Sequence, residues 1–305
     1  MASSAWQKRL AAVSMMFSCA CASGGTPPAA SAVSESHEQP PTAAIPDAKA
    51  ALPPPEPVAP TIPPVDPATA PQAAALDVAK PIKAIVDAKD RSEEDRALDA
   101  GRHPGELLTF FGVKPGMKVA ELFAGGGYTA ELLARAVGKQ GKVYAQNNKF
   151  VLEKFAEGPW SERLKRPQLK NVVRVDRELD DPLPPEAKNL DIVFSVLFYH
   201  DSVWLETDRE KMNAAVFAAL KPGGVYAVVD HSGRSTTGTS EAQTFHRIEE
   251  SVVRSEIEKA GFELAGEASF LRNPQDTRDW NDSPKAAAER RGTSDRFVLR
   301  FVKPK

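Results

Sequence analysis

The sequence predicts an α/β fold with a doubly wound, mostly parallel sheet of seven strands that ends in an antiparallel hairpin. Three observations lead to this prediction. Short apolar runs alternate with segments of helical periodicity, a glycine turn follows the first apolar run, and the last two runs follow a helix near the C-terminus. Because parallel neighbours need crossover connections, the alternation favours a sheet covered by helices on both faces.

The predicted elements of the folded body follow from residue periodicity and from turn residues. Helices with an apolar stripe are predicted at 82–100, 104–111, 128–137, 148–156, 205–220 and 244–260. Short apolar runs predict strands at 117–123, 142–146, 171–175, 190–196, 225–229, 262–270 and 296–302. Gly138 and the Lys-Pro-Gly-Gly turn at 221–224 end helices. The polar loop 271–295 has no assignment from the sequence.

The composition of the whole chain averages a proline-rich N-terminal part and a folded body. The 305 residues are 42% hydrophobic, and their 39 basic and 41 acidic side chains give a formal net charge of -2. This balance argues against a chain that binds nucleic acid through its overall charge. The two cysteines both precede residue 22, which excludes a disulfide scaffold in the folded body.

Residues 1–23 have the features of an export signal. Lys8 and Arg9 precede a short apolar stretch, and small residues surround Cys19 and Cys21. The segment resembles a bacterial lipoprotein signal, which implies a membrane tether through a lipidated Cys19 or Cys21 and a location in a bacterial envelope. A cleaved secretory peptide and an unused signal, which would leave the protein cytoplasmic, remain the alternatives.

Residues 24–81 are predicted to be a disordered linker. They hold 15 of the 26 prolines, and no aromatic residue occurs between Phe17 and Phe110. Such a segment buries too little apolar surface to offset the entropy of ordering the chain, and its prolines favour extended polyproline II. The folded domain is therefore expected at 82–305. Arg91, Arg96, Arg102 and His103, on its first helices, are interpreted as part of a solvated face, with a cap over a ligand cleft as the alternative.

The segment VAELFAGGGYTAELLARA at 119–136 places an acid at the end of a strand, then glycines, then a helix N-terminus. Ligands of doubly wound sheets bind at the carboxyl ends of the strands. Glycines let a ligand approach the backbone, and the free N–H groups of the helix start can bind its polar atoms. The segment therefore predicts a ligand site at this edge of the sheet.

This segment resembles the signature of class I S-adenosylmethionine-dependent methyltransferases, with Glu121 as the acid and Gly125 and Gly127 as the later glycines. Phe123 stands where the family has its first glycine. The turn at 220–224 and the Ala-Gly-Phe at 260–262 also resemble the family. Closer similarity is to a bacterial group of uncharacterised predicted methyltransferases, through 90–96, 142–147, 198–201, 230–232 and 270–274. The resemblance implies a Rossmann-like methyltransferase fold, S-adenosylmethionine as cofactor and methyl transfer to an unidentified acceptor.

The resemblance also implies positions for the cofactor. The acid after the first strand contacts its methionine part, the second strand ends at its ribose, and an acid after the third reads its adenine. The residues expected to contact it are Glu121, Phe123, Ala124, Gly125, Gly127, Asn147, Glu178 and Ser195. At the ribose position, Asn147 replaces the usual carboxylate.

Three side chains at the ends of the fourth and fifth strands are the catalytic candidates. His200, Asp201 and His231 are expected near the acceptor, because an imidazole titrates near neutral pH and can accept a proton. His200, His231 and His246 have spacings that match no standard zinc pattern, so no metal site is expected.

Two other functions remain open from the sequence. One is a dinucleotide-binding oxidoreductase of the NAD type, which normally has an acid about 20 residues after its glycines to hold the ribose. The other is a non-catalytic lipoprotein that keeps the fold as a binding module. For the methyltransferase, a small-molecule acceptor is favoured over nucleic acid because of the near-neutral charge.

Overall fold

The computed structural model describes residues 76–305, so the predicted signal segment and residues 24–75 of the predicted linker lie outside the described residues. Within this range one sheet has seven strands. They are β1 (Lys118–Leu122), β2 (Lys142–Asn147), β3 (Val172–Asp176), β4 (Leu190–Val196), β5 (Leu220–His231), β6 (Glu263–Ala268) and β7 (Arg296–Val302). No helix of the described part is long and apolar enough to cross a bilayer.

The strand order is β3-β2-β1-β4-β5-β7-β6. The pairs among β1 to β5 are parallel, whereas β7 runs antiparallel to both β5 and β6. The predicted fold class, a mostly parallel seven-stranded sheet with an antiparallel C-terminal hairpin, is confirmed. Because the order reverses beside β1, a crevice opens there at the carboxyl ends of β1 and β4.

Ten short helices accompany the sheet within residues 76–305. They are α1 (Lys80–Val86), α2 (Glu93–Arg102), α3 (Pro104–Phe110), α4 (Tyr128–Val137), α5 (Lys149–Val151), α6 (Glu157–Leu164), α7 (Asp201–Trp204), α8 (Arg209–Ala219), α9 (Ala242–Phe245) and α10 (Glu250–Lys259). A π-helical turn, Leu152–Ala156, joins α5 to α6, and 3₁₀ turns lie at Pro167–Leu169 and Ala288–Arg290. Helix α1 spans the predicted boundary at residue 82.

Helices cover both faces of the sheet. Consecutive residues of a strand point to opposite faces, and the fully buried Val193 and Phe194 of β4 accordingly belong to different apolar clusters. Val193 lies in the cluster with Met212 and Val216 of α8, and Phe194 packs edge-on against Phe111. This double coverage is the arrangement that the alternating sequence predicts.

The turn between β1 and α4 is fixed by close packing. Gly127 has a φ of +85°, and a Cβ on it would lie 2.3 Å from the ring of Trp160. Trp160 is fully buried in α6. Any side chain at position 127 would therefore both strain the backbone and displace the indole.

Candidate functional site

A cavity of about 1070 Å³ lies over the carboxyl ends of β1, β4 and β5. Its wall includes Gly125 and Gly126 of the glycine turn. His200 and Asp201, which follow β4, and His231, the last residue of β5, also line it. The fold thus brings the predicted catalytic residues to the same space as the glycine turn.

Two buried amides of β2 hold the glycine turn. The Gly125 amide donates to Asn147 Oδ1 at 2.8 Å, and Asn147 Nδ2 donates back to the Gly125 carbonyl at 3.1 Å. The Phe123 amide donates to Gln146 Oε1 at 2.9 Å. Asn147 is fully buried and does not border the cavity. The structure therefore gives it a role in shaping the turn.

Phe123 has the left-handed backbone conformation that glycine usually adopts, and its ring forms part of the cavity wall. Its φ is +60°, a left-handed conformation that costs a residue with a Cβ about 1–2 kcal/mol. Its ring stacks on Phe198 with centroids 3.7 Å apart and lines the cavity. The stacked pair offsets the strain and fills space that a glycine would leave open.

Glu121 lies behind the turn and not in the cavity wall. It is 3% exposed, and its Oε2 has no hydrogen-bond partner within the described residues. Burial raises its pKa to about 8, against the opposing effects of a hydrogen bond from Thr129 and the positive charge of Arg102. Glu121 is consequently mostly protonated at neutral pH.

Arg102, at the end of α2, borders the cavity. Its Cζ lies 4.5 Å from the Tyr128 ring centroid, and burial lowers its pKa. Within residues 76–305 it forms no salt bridge and no hydrogen bond. Arg91 is buried, and pairs with Asp99 at 2.6 Å. The interpretation of these two arginines as a solvated face is wrong, because both guanidinium groups lie over the ring of Tyr128, the first residue of α4.

His200 is held between two carboxylates. Its Nδ1 lies 2.7 Å from Asp230 Oδ1, its backbone amide donates to Asp230 Oδ2 at 2.7 Å, and its Nε2 lies 3.0 Å from Asp201 Oδ1. Burial lowers the pKa of His200, but the negative charges of Asp230 and Asp201 outweigh it and raise the pKa to about 10. His200 is therefore an imidazolium at neutral pH.

His231 has the opposite electrostatic character, although its ring centroid is only 5.5 Å from that of His200. Burial lowers its pKa against the opposing effect of the Asp282 carboxylate, and the charge of Arg296 acts in the same direction as burial. Its Nδ1 pairs with the Asp282 carboxylate and lies 2.9 Å from Ser294 Oγ. His231 is consequently neutral at neutral pH.

Two cavity residues outside the predicted set come from the C-terminal part of the chain. His246 Nδ1 lies 3.2 Å from both His200 Nε2 and Asp201 Oδ1. Asp282 belongs to the loop 271–295, which the sequence left unassigned. No local signal marks either residue, because each reaches the cavity through a long-range contact.

The other expected cofactor residues lie outside the cavity wall. Ala124 donates its amide to the Gln146 carbonyl at 2.8 Å, and Gly127 packs against Trp160. Glu178 is exposed, and Ser195 is fully buried within β4. Of the eight expected cofactor contacts, the cavity wall contains Phe123 and Gly125.

The sequence matches no protein-family model and no curated relative. A structure from Galdieria sulphuraria, provisionally assigned as a sarcosine dimethylglycine methyltransferase, is similar over 74% of this chain and 91% of its own, with 17% identity and a TM-score of 0.51. An S-adenosylmethionine-dependent methyltransferase from Aquifex aeolicus is 20% identical over 69% of this chain and 97% of its own, with a TM-score of 0.48. At these identities the similarity concerns the fold alone. The chain has the Rossmann-like fold of methyltransferase structures.

Proposed function

We propose that the protein is an S-adenosylmethionine-dependent methyltransferase that acts on a small-molecule acceptor. The observation that carries this proposal is a single cavity that joins the glycine turn and Arg102 to the paired histidines His200 and His231. Its volume of about 1070 Å³ reaches the upper end of the range for ligand pockets, about 300–1,000 Å³, and so can hold a donor and a small acceptor together.

The cavity wall fits the chemistry of the donor. Gly125 and Gly126 allow close approach to the backbone, and the Arg102 guanidinium, which has no salt bridge within residues 76–305, suits a carboxylate such as that of the methionine part. Phe123 and Trp204 offer aromatic faces, which attract a sulfonium cation and stack on adenine. These residues would hold the donor.

His200 and His231 would have different roles toward the methyl acceptor. S-adenosylmethionine supplies an electrophilic methyl group on a sulfonium, a good leaving group, so alignment is the protein's main contribution. The Asp282 carboxylate beside His231 Nδ1 would favour a proton on that atom over acceptance from Arg296 Nε at 3.4 Å, and His231 Nε2 would then accept a proton from the acceptor. His200, already protonated, cannot serve as that base and instead offers a positive charge.

A dinucleotide-binding oxidoreductase has less support. Such an enzyme needs a carboxylate for ribose after β2, where this chain has Gln146 and Asn147. Both amides are fully buried and bonded to the turn or to the Arg177 carbonyl.

Equilibrium dialysis of the full chain against labelled S-adenosylmethionine, S-adenosylhomocysteine and NAD tests the proposal. We expect the protein to bind one equivalent of either adenosyl ligand and no NAD. Arg102→Met should weaken the binding of both adenosyl ligands about tenfold or more, because a charge-assisted hydrogen bond contributes about 1.5–3 kcal/mol.

The matched control is Arg96→Met on the same helix, at a residue outside the cavity wall. This variant should bind like the wild type. Binding of NAD in preference to the adenosyl ligands would instead support an oxidoreductase. If the folded protein bound none of the three ligands, a non-catalytic binding module would be the remaining function.

The cellular location is a separate proposal that rests on the sequence alone. We infer that the protein is an exported lipoprotein tethered through Cys19 or Cys21. Mass spectrometry of the mature N-terminus should find a lipidated cysteine, and its loss in Cys19→Ser or Cys21→Ser would identify the residue. An unprocessed N-terminus in the soluble cytosolic fraction would overturn this proposal.

A further inference from the structure

We propose that His200, Asp201 and His246 form a binding site for one divalent first-row transition-metal ion in the cavity wall. All three residues line the cavity, and their donor atoms lie together. The site goes beyond the proposed methyl transfer and does not depend on it.

The three donor atoms already have the spacing of one face of a coordination shell. His200 Nε2 lies 3.0 Å from Asp201 Oδ1 and 3.2 Å from His246 Nδ1, and the latter two atoms are 3.2 Å apart. With metal–ligand bonds of about 2.1 Å, ligands at right angles lie about 3.0 Å apart and tetrahedral ligands about 3.4 Å apart. All three distances fall within these limits.

The residues behind the three donors orient them as in metal sites. A histidine that binds a metal usually donates its other ring N–H to a carboxylate. His200 Nδ1 is paired at 2.7 Å with the fully buried Asp230, which directs Nε2 toward Asp201 and His246. Trp204 Nε1 donates to Asp201 Oδ1 at 2.7 Å and fixes that carboxylate. This support is independent of the spacing of the donors.

Charge and donor type indicate the class of ion. Asp201 and Asp230 bring two negative charges to the cluster, and a bound dication balances them while taking the place of the proton on His200 Nε2. Two imidazoles with one carboxylate suit zinc, iron, cobalt or nickel, whereas Mg²⁺ and Ca²⁺ prefer oxygen ligands alone.

The open side of the site faces the cavity. The His246 and Asp201 side chains are 24% and 16% exposed, so an ion can reach the donors from there. An ion bound by only three protein atoms keeps coordination positions for an oxygen or nitrogen of a molecule in the cavity.

Cobalt titration of the untagged full chain tests the site. Cys19→Ser and Cys21→Ser are present in every sample, so that the thiols of the N-terminal segment cannot bind the metal. We expect one equivalent of Co²⁺, a visible d–d absorption band, and one zinc per chain by elemental analysis after dialysis against Zn²⁺. His246→Ala should weaken Co²⁺ binding at least about tenfold.

Asp201→Asn provides a second variant with little change in shape, in case His246→Ala disturbs the fold as judged by circular dichroism. His103→Ala is the matched control, because His103 lies outside the cavity wall and pairs with Glu106. It should retain full binding. Equal Co²⁺ binding by the wild type and by folded His246→Ala and Asp201→Asn variants, or no binding by the wild type, would overturn the proposal. Because no adenosyl ligand is present, this failure is distinct from failure of the methyltransferase assignment.

Discussion

At the scale of single residues, charge partners decide the protonation of the two central histidines. Both are buried, and burial lowers the pKa of each. His200 faces Asp201 and Asp230 and is protonated, whereas His231 has Asp282 on one side and the charge of Arg296 on the other. His200 therefore provides a positive charge, whereas the neighbouring His231 can accept a proton.

Glu121 makes the stability of the protein depend on pH. Its folded-state pKa of about 8 lies above its ordinary value of 4.5, so ionisation opposes folding. The destabilisation is absent below the ordinary pKa and grows until the pH reaches the folded-state pKa. Between pH 5 and pH 8, the free energy of unfolding of the wild type should fall by about 3 kcal/mol relative to that of Glu121→Gln. Urea unfolding at both pH values measures this difference.

Glu263→Gln, at an exposed position of β6, is the control and should keep the wild-type dependence on pH. Parallel pH profiles for the wild type and Glu121→Gln would show that burial of this carboxyl does not govern stability.

The position of Gly125 could be predicted from the local chain. Gly125 was assigned to the turn after the first strand, and it lines the cavity there. The contacts of Asn147 and Arg102 could not be predicted, because each side chain contacts a segment that is distant along the chain. Asn147 meets the turn 22 residues earlier in the chain, and Arg102 lies over Tyr128.

At the scale of elements, the loop 271–295 forms part of the cavity wall, and a buried ion pair between Arg247 and Asp276 helps to hold it. Arg247 Nη1 lies 2.8 Å from Asp276 Oδ2, and both side chains are almost fully buried. Asp276 also accepts hydrogen bonds from the Asp295 amide at 2.7 Å and from Trp280 Nε1 at 2.7 Å. The carboxylate thus joins both ends of the loop to the segment that carries His246.

Neutralising this carboxylate should destabilise the fold. Asp276→Asn leaves Arg247 buried without its counter-charge, which typically costs about 3–5 kcal/mol. Urea unfolding should show a loss of that size, and limited trypsin digestion should cut the loop faster at Arg290 or Arg291.

Glu210→Gln is the comparison, since Glu210 pairs with Lys259 on the surface with both side chains largely exposed. Its cost should stay below about 1 kcal/mol. Equal stability of the two variants would mean that the buried pair does not anchor the loop.

The predicted strands at 190–196 and 296–302 agree with β4 and β7, and the predicted helix at 128–137 agrees with α4. The strand predicted at 225–229 is shorter than β5, which begins at Leu220. The predicted helix 205–220 is wrong at both ends. Asp208 caps α8 by accepting from the Lys211 amide, and Leu220 leaves the helix to pair with Leu190 in the sheet.

At the scale of the whole molecule, the sheet brings distant residues together. The parallel strands β1, β4 and β5 end at one edge, so Gly125, His200 and His231 meet there from positions far apart in the chain. The order of strands and helices, and therefore this edge, was predictable from the sequence. The approach of His246 and Asp282 was not, because it depends on the path of the C-terminal loops.

The central claim is that this cavity binds an adenosyl sulfonium donor. A crystal structure of the full chain with S-adenosylhomocysteine tests it most directly. We expect the ligand to lie against Gly125 and Gly126, with its carboxylate within hydrogen-bonding distance of the Arg102 guanidinium. A ligand bound elsewhere on the protein, or a cavity without ligand at saturating concentration, would contradict the claim.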